Sequence, residues 1–454
     1  MPGMMHDRGL RRQIDETRPI ADDGKRRDLR GVGRVDRNQL WDKVIAQVDG
    51  KAAVDLSRRA LMIPSLSGQE ENAARFFFDA MQRYGIDAEL QPVPESPTMN
   101  ASWNTIGRVK GKGGGKSLIL NGHMDHNPTA DGWTKDPFGG VIEDGWLYGF
   151  VHMKAADACF ILAADAVRKA GIALKGDLTI TLVSGELRGG VGTKHALASG
   201  VTGDYFVVGE PSELEIVTRH TGSVTLKLHV LGKMKHFATR DVPGAKGISA
   251  IEKIAKVLPA LGPCHKLLPD RKNGGWLTFE PAANFADLPQ LNMGSIRGGI
   301  GREHNPTRPA LLADRCTLQL DIRIVPGMTK HSIEADLKRL LDGFASEDED
   351  FRYEIELDPD SFPLPFVESP DSDIARCVID AHRHINGENP AIRENANMGA
   401  TDALWLSQAG VRGLIYGPTG RYLSRPDERC EVEDLVRATK AYACVIADIC
   451  TRDR

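Results

Sequence analysis

Ser117 to Asp125 reads S-L-I-L-N-G-H-M-D, and its apolar run, Leu118-Ile119-Leu120, has the continuous hydrophobicity of a buried strand. Asn121-Gly122 ends that run, so His123 and Asp125 fall just beyond the strand. Upstream, from near Asn38, Leu40, Val44, Ile45 and Val48 recur at helical spacing, and residues 56–63 continue the pattern. Ser67 followed by Glu70 reads as a capping box opening a helix that carries Ala73, Phe76, Phe77 and Met81. Strands are expected over 87–93 and 104–109. Past His123, a glycine-dense loop with an Asp144-Gly145 turn marks a hairpin-like excursion. A long apolar helix then opens at His152-Met153-Lys154 and ends at Gly171. A strand over 178–183 leads to Ser184-Gly185-Glu186, a helix follows near 191–197, and a strand over 205–208 ends at Gly209-Glu210-Pro211.

The pattern changes after residue 218. A strand over 223–230, a helix over 247–261, strands over 291–296 and 316–325, a helix over 332–344 and a strand over 351–357 give the order β-α-β-β-α-β, which is ferredoxin-like. The α/β pattern resumes with a helix from Ile374, a strand at Leu414-Ile415-Tyr416 and a last helix over 431–449. The expected architecture is therefore an α/β fold: an open, mostly parallel sheet in a catalytic domain (38–218 and 359–454) interrupted by a ferredoxin-like lid or dimerisation domain (219–358). Residues 1–37, charged and arginine-rich with no apolar core segment, read as a flexible extension.

Four segments place a histidine or glutamate just beyond an apolar strand or at a helix start: His123, His152, Glu186 and Glu210. In open α/β sheets ligands sit at that edge, so recurrence at equivalent positions points to one shared site. A histidine with a carboxylate two residues on, His123 and Asp125, suits a metal ligand with its orienting partner; the plainer alternative is a strand-end histidine beside an unrelated aspartate. His126 and His220 read as bystanders, Asp402 as a helix cap, and Cys444 and Cys450 as core.

Composition narrows the field. A chain of 454 residues has room for two domains, and its charged (26%) and hydrophobic (41%) fractions are those of a soluble globular protein. A formal charge of −4 gives no case for nucleic acid or an anionic membrane surface as partner. No apolar run approaches the roughly 20 residues that a spanning helix needs. The seven cysteines are scattered without a C-x-x-C, which fits a reducing cytoplasm and argues against a cysteine-based zinc site.

From about residue 40 onward the chain resembles the dinuclear-zinc hydrolases that include acetylornithine deacetylase, succinyl-diaminopimelate desuccinylase, aminoacylase and the glutamate-releasing carboxypeptidases. The likeness rests on N-G-H-M-D, W-T-K-D-P-F-G-G-V-I-E-D-G-W-L-Y-G, the Met-Lys helix start, G-G-V-G after Glu186, G-E-P, G-K-M-K-H, T-D-A and Y-G-P. It implies that His123 is a metal ligand oriented by Asp125, that Glu186 is the general base and that Glu210 is a carboxylate ligand. His152 stands where that family has a bridging aspartate, Leu187 replaces a carboxylate ligand, and the late histidine falls near Ser424. Leucine cannot coordinate and a serine hydroxyl is a poor zinc ligand, so the second ion is expected to be absent. One divalent ion, zinc or similar, would then sit on His123, His152 and Glu210; the rival is no ion at all. His236 matches a histidine that reaches across a homodimer to steady an oxyanion, though it could also be an exposed turn residue. Arg323 and Asn305 match positions that hold a substrate carboxylate, although Arg323 could equally be a surface strand residue.

These expectations describe a cytoplasmic homodimer, joined through the inserted domain, that hydrolyses an amide-like C–N bond of a small carboxylated molecule. The alternatives are metal-independent deamination, epimerisation or ring opening by Glu186 and His152, and a catalytically silent binding protein.

Overall fold

A computed structural model describes residues 34–262, 275–280, 288–306, 308–359, 361–393 and 399–454. Most of the expected 1–37 extension lies outside the described residues, but helix begins at Arg34 and not near Asn38. Arg37 pairs with Asp380 at 2.7 Å, and the Trp41 indole donates to the Cys444 carbonyl, which ties this helix to the end of the chain. The single helical repeat expected over 40–63 is two helices, Arg34–Ile45 and Gly50–Leu61, separated where Asp49 caps the second.

The main sheet has eight strands. In spatial order they are Asp87–Val93, Ser102–Val109, Leu178–Val183, Leu118–His123, Tyr205–Val208, Arg412–Ile415, Ile216–Val217 and Ile392–Arg393. The four from Leu178–Val183 to Arg412–Ile415 are mutually parallel, and the strands at Asp87–Val93 and Ser102–Val109 add on antiparallel. Leu118–His123 is buried along its whole length because both sheet faces are covered. Leu118 and Leu120 point into one apolar cluster, with helices Lys154–Lys169 and Val432–Ile449; Ile119 points into another, with Phe206 and Leu404. The two helices of the first cluster pack directly, Phe160 lying 4.7 Å from Tyr442 between ring centres.

The second sheet has the strand order Gln290–Gly299, Arg315–Ile324, Gly222–Leu231, Arg352–Leu357, all antiparallel. With helices Ala250–Leu261 and Lys330–Glu347 it forms the βαββαβ unit that the sequence pattern indicates. Val224, Leu226, Leu228 and Val230 face its core, and alternate positions face outward. The expected excursion is a hairpin of Ile142–Glu143 and Trp146–Tyr148, with positive φ at Asp144 and Gly145 (50° and 79°). The six described cysteines are free and buried, Cys444 and Cys450 among them. No helix among the described residues is long and apolar enough to cross a membrane.

Candidate metal centre

The C-terminal ends of three neighbouring parallel strands build the site. Leu118–His123 delivers His123, Tyr205–Val208 leads to Glu210, and Leu178–Val183 leads to the 3-10 turn Glu186–Arg188. Gly185 allows that turn in two ways: its φ is +65°, and a Cβ there would lie 2.3 Å from Met99 Sδ. His152 comes from the segment before helix Lys154–Lys169.

Ligand atoms of His123, His152 and Glu210 all lie within 4.8 Å of one another. Glu210 Oε1 is 3.5 Å from His123 Nε2, and Glu210 Oε2 is 2.6 Å from His152 Nε2. Glu186 Oε2 stands 4.0 Å from His123 Nε2. His123 Nδ1 faces the Asp125 carbonyl at 3.0 Å and its carboxylate at 3.3 Å, so Nδ1 carries the donated proton and Nε2 turns its lone pair to the cluster. Asp125 also accepts from the Ser67 hydroxyl (2.6 Å) and from the amides of Glu186 and Leu187 (both 3.1 Å). One carboxylate thereby orients the histidine and pins the turn that carries Glu186.

The electrostatics favour a cation. Burial opposes a charged His123, yet Asp125, Glu210 and Glu186 outweigh it and hold its pKa well above the usual histidine value. Burial also works against an ionised Glu210, but His152 and His123 hold its carboxyl below the usual range. Burial pushes Glu186 well above the usual carboxylate range, with Glu210, Asp402 and Asp125 adding to it against the pull of His123. His123 Nε2, Glu186 Oε1 and Asn121 Oδ1 are buried with no hydrogen-bond partner. The converging ligand atoms of His123, His152 and Glu210, with His123 Nε2 and Glu186 Oε1 orphaned beside them, fit a divalent ion, and two imidazoles with one carboxylate are a donor set suited to zinc.

Several sequence expectations need correction. Ser67 and Glu70 form no capping box: the helix runs Glu71–Arg83 with no side-chain cap. Ser67 is drawn to Asp125, while Glu70 accepts from the Ser102 hydroxyl (2.5 Å) and the Gly185 amide (3.0 Å). Burial and the charge of Asp125 push Glu70 up to about 7, so it belongs to the site's support. Asp402 sits at the start of helix Ala403–Gln408 but its side chain does not cap it; burial pushes its carboxyl up to about 7, against a pull from Thr193. Asp157 and Glu428 were also missed. Glu428 accepts from the His152 amide (2.9 Å) and the Ser424 amide (2.8 Å). Asp157 carried a legible signal, a lone charge in the run A-A-D-A-C-F-I-L.

The remaining candidates lie elsewhere. Leu187 offers only its amide, to Asp125, and the Ser424 hydroxyl accepts from Asn127 at 2.9 Å. His236 is exposed on the inserted unit, its ring 5.4 Å from Phe237, and among the described residues no hydrogen bond or ion pair joins it to the cluster. Arg323 pairs with Asp321 at 2.8 Å, and a Cβ on Gly399 would lie 3.9 Å from its guanidinium, at the join of the two sheets. Asn305 donates to the Ile300 carbonyl within its own turn. His126 accepts from the Ser65 amide (2.9 Å) and donates to the Asn127 carbonyl (2.7 Å). His220 donates to the Thr221 carbonyl (2.8 Å), and burial lowers both of these rings to about 4.

Comparison with known proteins agrees with this architecture. Two curated relatives are an N-formyl-4-amino-5-aminomethyl-2-methylpyrimidine deformylase from Bacillus subtilis and a succinyl-diaminopimelate desuccinylase from Methylorubrum extorquens. The first is 28% identical over 377 residues, covering 77% of this chain and 84% of that protein. The second is 27% identical over 414 residues, covering 86% and 97%. Both names are those of amide-bond hydrolases. Among solved structures, the yeast dipeptidase Dug1p (Saccharomyces cerevisiae) superposes with a TM-score of 0.73 at 15% identity, covering 91% of this chain and 99% of that one. Human carnosine dipeptidase 1 gives 0.69 at 17% identity, covering 90% and 99%. The sequence profile of Peptidase family M20/M25/M40 matches residues 119–448, and the chain belongs to that family.

Proposed function

We propose that the protein hydrolyses an amide-like C–N bond in a small carboxylated substrate, an N-acyl amino acid or dipeptide-like molecule, with one divalent ion and a glutamate base. The observation that carries this reading is the convergence of His123, His152 and Glu210 with Glu186 beside them. A divalent ion held by those three donors would polarise the scissile carbonyl and acidify a water. Glu186 takes the proton of the attacking water and returns it to the leaving amine; its burial raises its proton affinity, as that shuttle requires. Asp125 keeps His123 in the required tautomer and holds the Glu186 turn in place.

Arg323, near Gly399 at the join of the sheets, would grip the substrate carboxylate by its planar fork. Asn305 would assist it, and His236 would reach the site of a second subunit in a homodimer and steady the oxyanion. Leu187 and Ser424 support a single ion, since neither offers a good ligand where a second would bind. The substrates named for the two curated relatives are a formyl amide and a succinyl amide, and an acyl–amine bond is common to them.

Metal content per subunit tests the reading most directly. Protein reconstituted with zinc and desalted should carry one equivalent and release amine from one or more members of a panel of N-acyl amino acids and dipeptides. Two equivalents would overturn the one-ion site, and turnover in metal-free protein would favour acid–base chemistry by Glu186 and His152 alone.

A further inference from the structure

We propose that Asp157, a buried carboxylate beneath the cluster that donates to no ion directly, strengthens cation binding by His123, His152 and Glu210. Asp157 lies in the first turn of helix Lys154–Lys169, is fully buried, and has no hydrogen-bond partner on either carboxylate oxygen. An unpaired buried carboxylate is costly unless a positive charge offsets it. Among the described residues no cationic side chain bonds to it: Lys154, on the same turn, pulls on it electrostatically, as His123 does, but donates its hydrogen bonds to the Ile63 carbonyl (2.6 Å) and the Ser65 hydroxyl (2.9 Å).

The approach of Asp157 to the strand is built into the sequence. A Cβ on Gly122 would lie 1.9 Å from Asp157 Oδ1 and 2.7 Å from Met153 Cε, so only glycine admits this carboxylate. Gly122 immediately precedes His123; burial, with Glu210 and Asp125 adding to it, pushes the Asp157 carboxyl well above the usual carboxylate range against the pull of His123 and Lys154. The helix N-terminus adds a favourable field for negative charge at that position. Asp157 is not among the groups whose ligand atoms converge, so it acts through them as a positioning and charge-balancing residue. Glu210 is the sole carboxylate among the three converging groups, and Asp157 adds a further carboxylate to the buried surroundings that an ion there would meet.

This inference rests on the one-ion reading above, and the test separates the two. Metal-free wild type, Asp157→Leu and Asp157→Asn are titrated with zinc against a competing chelator, and each metal-free protein is unfolded in urea. Zinc should bind both variants more weakly by roughly ten- to a hundredfold, the range for groups that support metal ligands. The metal-free Asp157→Leu protein should meanwhile be as stable as wild type or more so, because it no longer buries an unpaired carboxylate. Asp157→Asn keeps the size and removes the charge, so the affinity loss is expected there even if leucine disturbs folding. Equal zinc affinity in wild type and variants overturns the role of Asp157 alone. Weaker binding that tracks a matching loss of metal-free stability in both variants would make Asp157 a packing residue and overturn it too. No zinc uptake by wild type overturns the one-ion reading and this inference with it.

Discussion

The two largest sheets among the described residues place their polar side chains in opposite ways. In the main sheet the central parallel strands are covered on both faces, so charged side chains have no place along them and collect where the strands stop. His123, Glu186 and Glu210 all arise at such ends. In the second sheet one face is covered, and alternate side chains such as Lys227 face outward. Its polar residues are spread along the strands and pair with neighbours at the surface, as Lys227 does with Glu356 at 2.6 Å. Coverage of a sheet thus decides whether its polar groups are gathered into one crevice or dispersed, and chemistry needs the former.

Substitutions can break this contrast. Glu186→Gln, at a main-sheet strand end, should cut kcat roughly a thousandfold while substrate still binds, measured by steady-state kinetics and equilibrium dialysis. Unchanged turnover would remove Glu186 as the base. Ile180→Ala, in the doubly covered part of the same sheet, should lower stability by about 2 to 5 kcal/mol in urea unfolding.

The join of the sheets should be sensitive to acid. His220 sits there, its ring 5.3 Å from Phe366, with its folded pKa lowered to about 4 against 6.5 when unfolded. The unfolded chain therefore binds the proton first as pH falls. The stability held above pH 6.5 should drain away between 6.5 and 4, by about 3 kcal/mol for this ring. Urea midpoints across that range should fall more steeply for wild type than for His220→Gln. At the small end, Lys227→Gln on the open face of the second sheet should change stability by less than about 0.5 kcal/mol and leave kcat/KM unchanged.

Much of this was legible in the sequence because apolar periodicity reports burial, and burial dictates sheet layers. The run 118–120 indicated a covered strand, and the β-α-β-β-α-β order of the middle indicated the second sheet. The convergence of His123, His152 and Glu210 was legible because each lies just beyond a strand or at a helix start. What stayed hidden depended on distance along the chain. Ser67 and Glu70 match a local capping pattern, yet their partners, Asp125, Ser102 and Gly185, lie far away in sequence and win because they are buried with them. Glu428 holds the His152 and Ser424 amides across a gap that no periodicity spans.

The contact between helices Lys154–Lys169 and Val432–Ile449 has a consequence for biogenesis. The strands of the second sheet are all synthesised before residue 432, so that unit can close while the ribosome is still at work. The flank of the earlier helix, with Phe160 on it, stays uncovered until the later helix emerges. A nascent chain paused upstream of Val432 would expose a sticky greasy stripe beside a half-made crevice, and chaperones are expected to hold it there.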